Sequence, residues 1–117
     1  MKTFGQHIRE KRESLRKHDR AFSLRQVAER VGIKPTYLSK IERDELPPPG
    51  EETLKLIAGE LDLDQDVLLA MAGKVSADLR QIICQRPELF SKLLRELKDA
   101  PDHAVLNIVR EVTDGKW

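Results

Sequence analysis

Apolar residues recur at helical spacing along almost the whole chain, and their grouping predicts where the helices lie. Between Phe4 and Gly73 the grouping predicts five helices that share one core. Their inward positions are expected to be Phe4, Ile8 and Leu15; Leu24, Val27, Ala28 and Val31; Leu38 and Ile41; Leu54, Ile57, Ala58 and Leu61; and Val67, Leu68 and Met71. The charged residues expected to point largely outward from the first helix are Arg9, Lys11, Arg12, Arg16 and Lys17.

Local signals predict where several of these helices begin and end. Ser23 has the position of an N-cap, and Gln26 three residues later completes a capping-box pattern. Gly32 can adopt the positive φ that ends one helix and turns the chain sharply. Pro35 is favoured in the first turn of a helix, and Asp64 is a typical N-cap. The sequence therefore predicts a short second helix after Ser23 and a third that begins near Pro35.

A second group of apolar stripes occupies residues 74–117, and we treat it as a segment separate from residues 1–73. Three helices are predicted there, with starts near Ser76, Pro87 and Pro101. The residues of these helices that we expect to pair with another surface are Ile82, Ile83, Phe90, Leu93, Leu94, Leu97, Val105, Ile108, Val109 and Val112. About 40 residues are near the lower limit for independent folding, and the stripes exceed what a small tail should expose. Either the same segment of a second subunit or the N-terminal unit of the same chain is expected to cover them.

Residues 23–43 have the spacing of two short helices that cross at a steep angle. Ala28 is small where the two helices would approach most closely, and Gly32 allows the turn between them. Leu38 and Ile41, three residues apart, place one apolar stripe of the later helix against the earlier one. This is the arrangement of a helix-turn-helix, whose second helix lies in the major groove of DNA.

Charge is segregated along the chain, although the net charge is only +1. Residues 1–43 carry twelve Lys or Arg against five Asp or Glu, a balance of +7. Residues 44–73 carry one Lys against eight acidic residues, a balance of −7, and residues 74–117 carry eight basic and seven acidic residues. Phosphate binding needs positive charge where the DNA backbone runs. The coincidence of the basic segment with the helix-turn-helix therefore favours binding to double-stranded DNA.

The composition argues against other kinds of function. Aromatic residues are only 4% of the chain, so the core must be aliphatic, and the apolar segments are helical, which predicts an all-α fold. Apolar runs fall short of the roughly 18 residues that a membrane span needs, and we expect no signal peptide and no membrane association. The three histidines are scattered and no glycine-rich phosphate loop is present. We therefore expect no catalytic site, no metal site and no cofactor.

The single cysteine, Cys84, fits a reducing cytosol because it has no partner for an intramolecular disulfide. It follows two isoleucines in a predicted helix, so we expect it to be a small buried hydrophobe. The alternative is a redox-sensing thiol that the helix turns outward next to Arg80 or Arg86. Trp117 is expected to lie in a loose tail, with anchoring on a partner as the alternative.

The residues of the two crossing helices resemble a known family. The stretch that runs Ser23-Leu24-Arg25-Gln26-Val27-Ala28, Gly32-Ile33 and Tyr37-Leu38-Ser39-Lys40-Ile41-Glu42-Arg43 is similar to the Cro/C1-type (XRE) helix-turn-helix family of phage and bacterial repressors. The likeness extends across residues 4–73 and implies a five-helix, lambda-repressor-like DNA-binding domain. About three C-terminal helices follow, and we expect them to serve dimerisation. Two linked DNA-binding domains bind the two half-sites of an operator more tightly than a single domain binds one half-site.

Two positions depart from the family pattern. Asp44 stands where such proteins often have Gly after the recognition helix, although Asp tolerates the left-handed conformation better than most residues. Lys34 stands where a Ser or Thr N-cap is common. The third helix is therefore expected to start with a weaker cap, and with a side chain that binds phosphate more readily.

By analogy with the family, the exposed front of the third helix reads the base edges. Thr36 and Lys40 are the main candidates, because Lys40 can donate to guanine O6 or N7 and Thr36 can contact a thymine methyl group. The complete set of base-reading candidates is Lys34, Pro35, Thr36, Tyr37 and Lys40. The candidates for phosphate binding are Lys17, Ser23, Arg25, Gln26, Ser39 and Arg43.

The resemblance implies a DNA-binding transcriptional regulator in the cytoplasm. We expect a repressor that binds an inverted-repeat operator as a homodimer. The alternative is an antitoxin-like or peptidase-cleavable regulator whose C-terminal helices bind a partner protein, either a toxin or a metallopeptidase. Both hypotheses retain DNA binding, and the identity of the neighbouring gene would discriminate between them.

Overall fold

Helices account for the regular structure of the computed structural model, which describes residues 1–115 and 117. The helices are α1 (Phe4–Arg16), α2 (Leu24–Val31), α3 (Pro35–Glu42), α4 (Glu51–Leu61), α5 (Gln65–Met71), α6 (Ala77–Gln85), α7 (Pro87–Leu97) and α8 (Asp102–Asp114). A single 3₁₀ turn, Arg20–Phe22, joins α1 to α2. The all-α prediction of five helices followed by three is confirmed. The chain divides into two compact units, Met1–Ser76 and Ala77–Trp117.

The first unit encloses one aliphatic core between α1, α2, α3, α4 and α5. The buried hydrophobic residues are Phe4, Ile8, Val27, Ala28, Val31, Leu38, Ile41, Leu54, Ile57, Ala58, Leu61, Leu68 and Leu69. Each buried leucine or isoleucine side chain stabilises the fold by about 1.5–3 kcal/mol relative to an exposed one. Three of the predicted inward residues, Leu15, Leu24 and Met71, lie partly buried at the edge of this core.

The predicted inward position of Val67 is wrong. Val67 is 50% exposed, and Leu69 is buried together with Leu68. The physical reason is the cap: Asp64 accepts a hydrogen bond from the backbone N–H of Val67 (3.0 Å), which places Val67 in the first turn of α5. The core side of this short helix is therefore formed by the two consecutive leucines.

Side-chain caps begin several helices, as the sequence partly predicts. The Ser23 hydroxyl accepts a hydrogen bond from the backbone N–H of Gln26 (3.2 Å) at the start of α2. Of the predicted capping box, α2 thus has the Ser23 bond but not the reciprocal bond from the Gln26 side chain. Lys34 makes no side-chain cap at the start of α3, where Pro35 occupies the first turn, as expected. A full capping box at α1, formed by Thr3 and Gln6, was not predicted.

The second unit contains no buried residue among those that the structure describes between 77 and 117. α6 contacts α7. Most side chains of α8 are exposed, and Ala104 and Val105 are half-buried. Cys84 is exposed, so the expectation of a buried cysteine is wrong. The reason is that this unit forms no interior in a single chain, and even Leu79 and Ile82 on the same helix are 36% and 47% exposed.

Candidate nucleic-acid interface

The turn between α2 and α3 depends on the backbone conformation of Gly32. Gly32 has a φ of 86° and a ψ of 28°, in the left-handed region, and its N–H donates to the carbonyl oxygens of Ala28 (2.9 Å) and Glu29 (3.2 Å). The N–H of Ile33 also donates to Ala28 O (3.0 Å). Only glycine adopts this conformation without strain, so Gly32 ends α2 and directs the chain into α3. Ala28 is completely buried where α2 packs against its neighbours.

A buried ion pair joins α1 to the end of α3. Arg12 Nε donates to Glu42 Oε2 (2.7 Å), and Arg12 Nη2 donates to Glu42 Oε1 (2.9 Å). Each of the two residues is only 4% exposed. Arg12 Nη1 also donates to the carbonyl oxygen of Phe22 (3.3 Å), and Nη2 donates to Glu13 Oε1 (3.0 Å). The hydrogen bonds to Glu42 raise the pKa of Arg12, outweighing the desolvation that lowers it.

The expectation that Arg12 points outward is therefore wrong. Arg12 lies one turn after Ile8, on the same stripe of α1 that is buried against the rest of the unit. That spacing is the signal in the sequence that could have placed Arg12 inside. The acidic partner of Arg12 cannot be predicted from spacing, because Glu42 is thirty residues away along the chain.

Asp44 ties the end of α3 to the start of α1. Its φ is 59°, which confirms the left-handed conformation expected at this position. Asp44 Oδ1 accepts a hydrogen bond from the N–H of Gly5 (2.9 Å), and Oδ2 accepts one from the hydroxyl of Thr3 (2.6 Å). The two segments approach so closely that a Cβ on Gly5 would lie 2.5 Å from the carbonyl oxygen of Ile41. Together with the buried ion pair, this contact fixes α3 against α1.

The predicted base-reading residues extend from the N-cap of α3, Lys34, to Lys40 in its last turn. Lys34, Thr36 and Lys40 are exposed. Thr36 and Lys40 are four residues apart, so they share one face of the helix, away from buried Leu38. Pro35 is partly buried, and Tyr37 is partly buried because it packs against the core. The most exposed side chains of this set thus offer one hydroxyl and two ammonium groups, from Thr36, Lys34 and Lys40.

The predicted phosphate-binding residues are not all in one place. Lys17, Arg25, Gln26 and Arg43 are exposed, whereas Ser23 and Ser39 are partly buried. Arg43 Nη1 donates to Glu45 Oε1 (2.8 Å), and Arg43 Nε donates to the carbonyl oxygen of Ser39 (3.3 Å). Lys17 lies at the C-terminal cap of α1.

A small cavity of about 120 Å³ lies over the buried ion pair and brings Ser39 and Arg43 together with Arg9. Its other lining residues are Arg12, Glu13, Leu24 and Glu42. Arg9 is exposed and was not among the predicted phosphate-binding residues. Its position three residues before Arg12 on α1 is the signal that could have placed it beside the ion pair.

Neither a metal-binding cluster nor a membrane-spanning helix occurs in the part of the chain that the structure describes. There, no three or more His, Cys, Asp or Glu side chains come together in a way that could hold a metal ion. Across those same residues, no helix has the length and apolar character to cross a membrane.

Residues 8–68 match the model of a protein family described as helix-turn-helix. Two proteins described as uncharacterized HTH-type transcriptional regulators, from two strains of Mycobacterium tuberculosis, are each 39% identical to this chain over 69 residues. The alignment covers 59% of this chain and 45% of each relative, so the chain spans about half the length of the curated relatives it matches. Among solved structures, a chain of the SinR protein/SinI protein complex is 25% identical, with a TM-score of 0.48 and coverage of 83% of this chain and 92% of that chain.

Proposed function

The chain belongs to the Cro/C1-type helix-turn-helix family of transcriptional regulators, and from that premise we propose that it is a repressor that binds an inverted-repeat operator as a homodimer. The observation that carries the proposal is the exposed face of α3, on which Thr36 and Lys40 are both exposed within the basic segment of residues 1–43. Repression then requires only that the protein occupies promoter DNA.

Reading of the DNA sequence is assigned to α3. Lys40 donates to O6 or N7 of guanine in the major groove, and Thr36 contacts a thymine methyl group or offers its hydroxyl to a base edge. Lys34, Pro35 and Tyr37 complete the contact with the groove. What supports this assignment is the location of Lys34, Pro35, Thr36 and Tyr37 at the start of α3, where a recognition helix meets base edges, with Lys40 one turn after Thr36 on the same face.

Docking on the DNA backbone is assigned to the residues around α3. Lys17, Arg25 and Arg43 bring positive charge to the phosphates, and exposed Gln26 adds an amide donor at the first turn of α2. Ser23 and Ser39 are the remaining members of the set. These contacts position the protein and contribute affinity without selecting a sequence.

Dimerisation of two chains is assigned to residues 74–117, and recognition of the DNA sequence is assigned to residues 1–73, the reading unit. One copy of the reading unit contacts only a few base pairs, whereas two linked copies bind both half-sites of an operator. The exposed apolar residues of α6, α7 and α8 support this division, because a single chain leaves them in contact with water.

Selection of bound sequences from random double-stranded DNA tests the proposal. We expect a palindromic sequence with half-sites about one helical turn apart, bound by two chains per duplex. Stoichiometry is measured on the selected sequence by sedimentation of the complex. Enrichment of no sequence, or of a single half-site bound by one chain, would contradict the proposal.

Two substitutions separate base reading from phosphate binding. Lys40→Ala is expected to weaken binding to the selected operator by about 1–3 kcal/mol and to relax discrimination at one base pair. Arg43→Ala is expected to weaken binding to all sequences alike. It should also make the slope of log K against log salt concentration shallower by about one. Both are measured by titrating operator and random DNA at several salt concentrations.

The matched control is Lys55→Ala, which removes a positive charge from α4 in the acidic segment. It should change neither the discrimination between operator and random DNA nor the salt dependence of binding. Equal losses on both DNAs for Lys40→Ala would show that the base-reading role is wrong.

A further inference from the structure

The cavity above the Arg12–Glu42 ion pair has the size and the charge of a site for one anionic group. Its volume is about 120 Å³. That is more than the roughly 30 Å³ that a water molecule takes in the liquid, but far less than the roughly 300–1,000 Å³ of pockets for small-molecule ligands. Three arginines and two glutamates line the cavity, a balance of +1. Both glutamates, Glu13 and Glu42, are hydrogen-bonded to Arg12, so the positive charge that remains is that of Arg9 and Arg43.

The three arginines differ in how fully protein acceptors occupy them. Arg12 donates from Nε, Nη1 and Nη2 to protein oxygens, so it holds α1 and α3 together. Arg9, three residues earlier on α1, is exposed, and its guanidinium takes part in no hydrogen bond or ion pair among the residues that the structure describes. Arg43 Nη1 binds Glu45 Oε1 (2.8 Å), but both side chains are about half exposed, and such surface ion pairs are weak. An anion in the cavity therefore binds Arg9 without displacing a protein acceptor, and binds Arg43 in exchange for a weak one.

The start of α2 adds positive potential at the same cavity. Leu24, the first residue of α2, is one of the lining residues. The first N–H groups of a helix lack acceptors within the helix, and the helix dipole makes this end attractive to anions. Half-buried Ser39 of α3 also lines the cavity, and its hydroxyl group can donate to an anionic oxygen. Donors from three helices thus border one small cavity.

We propose that this cavity binds one phosphate of the DNA backbone and that Arg9 is a phosphate-binding residue, acting together with Ser39 and Arg43. This inference rests on the proposed function, because it takes α3 to be the helix that lies in the major groove. Ser39 and Arg43 lie three residues after the base-reading candidates Thr36 and Lys40, so phosphate and base contacts come from adjoining positions around one helix. A phosphate bound by α1 and α3 together fixes the orientation of α3 on the duplex, which is what phosphate contacts contribute to recognition.

Operator duplexes in which a neutral methylphosphonate replaces one phosphate at a time test this site with the full-length protein. In each half-site we expect one position at which the replacement weakens wild-type binding about tenfold, because a hydrogen bond to a charged group is lost. Arg9→Ala is expected to weaken binding to the unmodified operator and to show a much smaller loss than the wild type at that position, since the two changes remove the same contact. At every other phosphate the variant should respond as the wild type does. Circular dichroism checks that the helices remain.

The matched control is Lys11→Ala, which removes a positive charge from the other side of α1, about 200° around the helix from Arg9. It should bind the unmodified operator and each methylphosphonate duplex as the wild type does. An Arg9→Ala variant that is as sensitive as the wild type at every phosphate would overturn the proposal, because Arg9 would then act on no particular phosphate. Wild-type DNA binding by Arg9→Ala, together with loss of a thermal stabilisation that inorganic phosphate gives the wild type, would overturn it in favour of a free anion. In both cases the operator of the proposed function would stand, whereas a wild-type protein that selects no operator would overturn both.

Discussion

Replacing Glu42 by alanine is expected to lower the free energy of unfolding by about 3–5 kcal/mol, because the Arg12 guanidinium then stays buried without its carboxylate partner. Two nitrogens of Arg12 bind the two carboxylate oxygens of Glu42 at 2.7 and 2.9 Å, and both residues are almost completely shielded from water. Small domains are stable by about 5–15 kcal/mol in total, so this loss is a large fraction. Urea denaturation, followed by circular dichroism, measures it.

The same pair offers its own controls. Replacing both partners with apolar residues of similar size, as Arg12→Met with Glu42→Leu, should restore most of the stability, since no buried charge is left unpaired. Glu10→Ala removes the exposed ion pair with Lys2 and should cost less than about 1 kcal/mol. A loss below 1 kcal/mol for Glu42→Ala would show that water reaches the guanidinium when its partner is removed.

The raised pKa of Arg12 defines the pH range in which this ion pair stabilises the fold. A pKa that is higher in the folded state than in the unfolded state means that folding binds the proton more tightly. The contribution of Arg12 is therefore complete below the ordinary arginine pKa and is lost only as the pH rises through the folded value. Around neutral pH the Arg12 guanidinium is fully charged.

Replacing Leu93 by aspartate is expected to weaken binding to the palindromic operator by about 10²–10⁴-fold, because the charge prevents two chains from pairing and the second half-site then binds independently. Leu93 is 39% exposed on the apolar face of α7, where a partner would cover it. Binding to an isolated half-site should not change, since the reading unit is intact. Titrations of full operator and half-site DNA, together with sedimentation of the free protein, measure both effects.

The control for this prediction is Leu56→Asp, which places the same charge on another exposed leucine, in α4 of the first unit. It should leave both pairing and operator affinity unchanged. Unchanged operator affinity for Leu93→Asp would contradict the pairing role of α7. A wild-type chain that is monomeric but binds a toxin or a metallopeptidase through these helices would support the alternative hypothesis instead.

The local features of the reading unit were predictable from the sequence because they depend on neighbouring residues. Helical periodicity located α1 to α5, and Gly32 was assigned its left-handed turn because no other residue adopts it as easily. The Ser23 and Asp64 caps followed from residues three positions away. Thr36 and Lys40 were placed on one exposed face by their spacing alone.

The sequence by itself thus determined the helices, their caps, the helix-turn-helix and the segregation of charge, since each depends on short-range spacing or on counts. Only the tertiary structure decided that Arg12 is buried against Glu42, that Asp44 binds Thr3 and Gly5, and that Cys84 is exposed. The first two are contacts between residues 30 to 41 positions apart, which no local pattern encodes. The third depends on how much interior the last three helices can build, and in a single chain they build none.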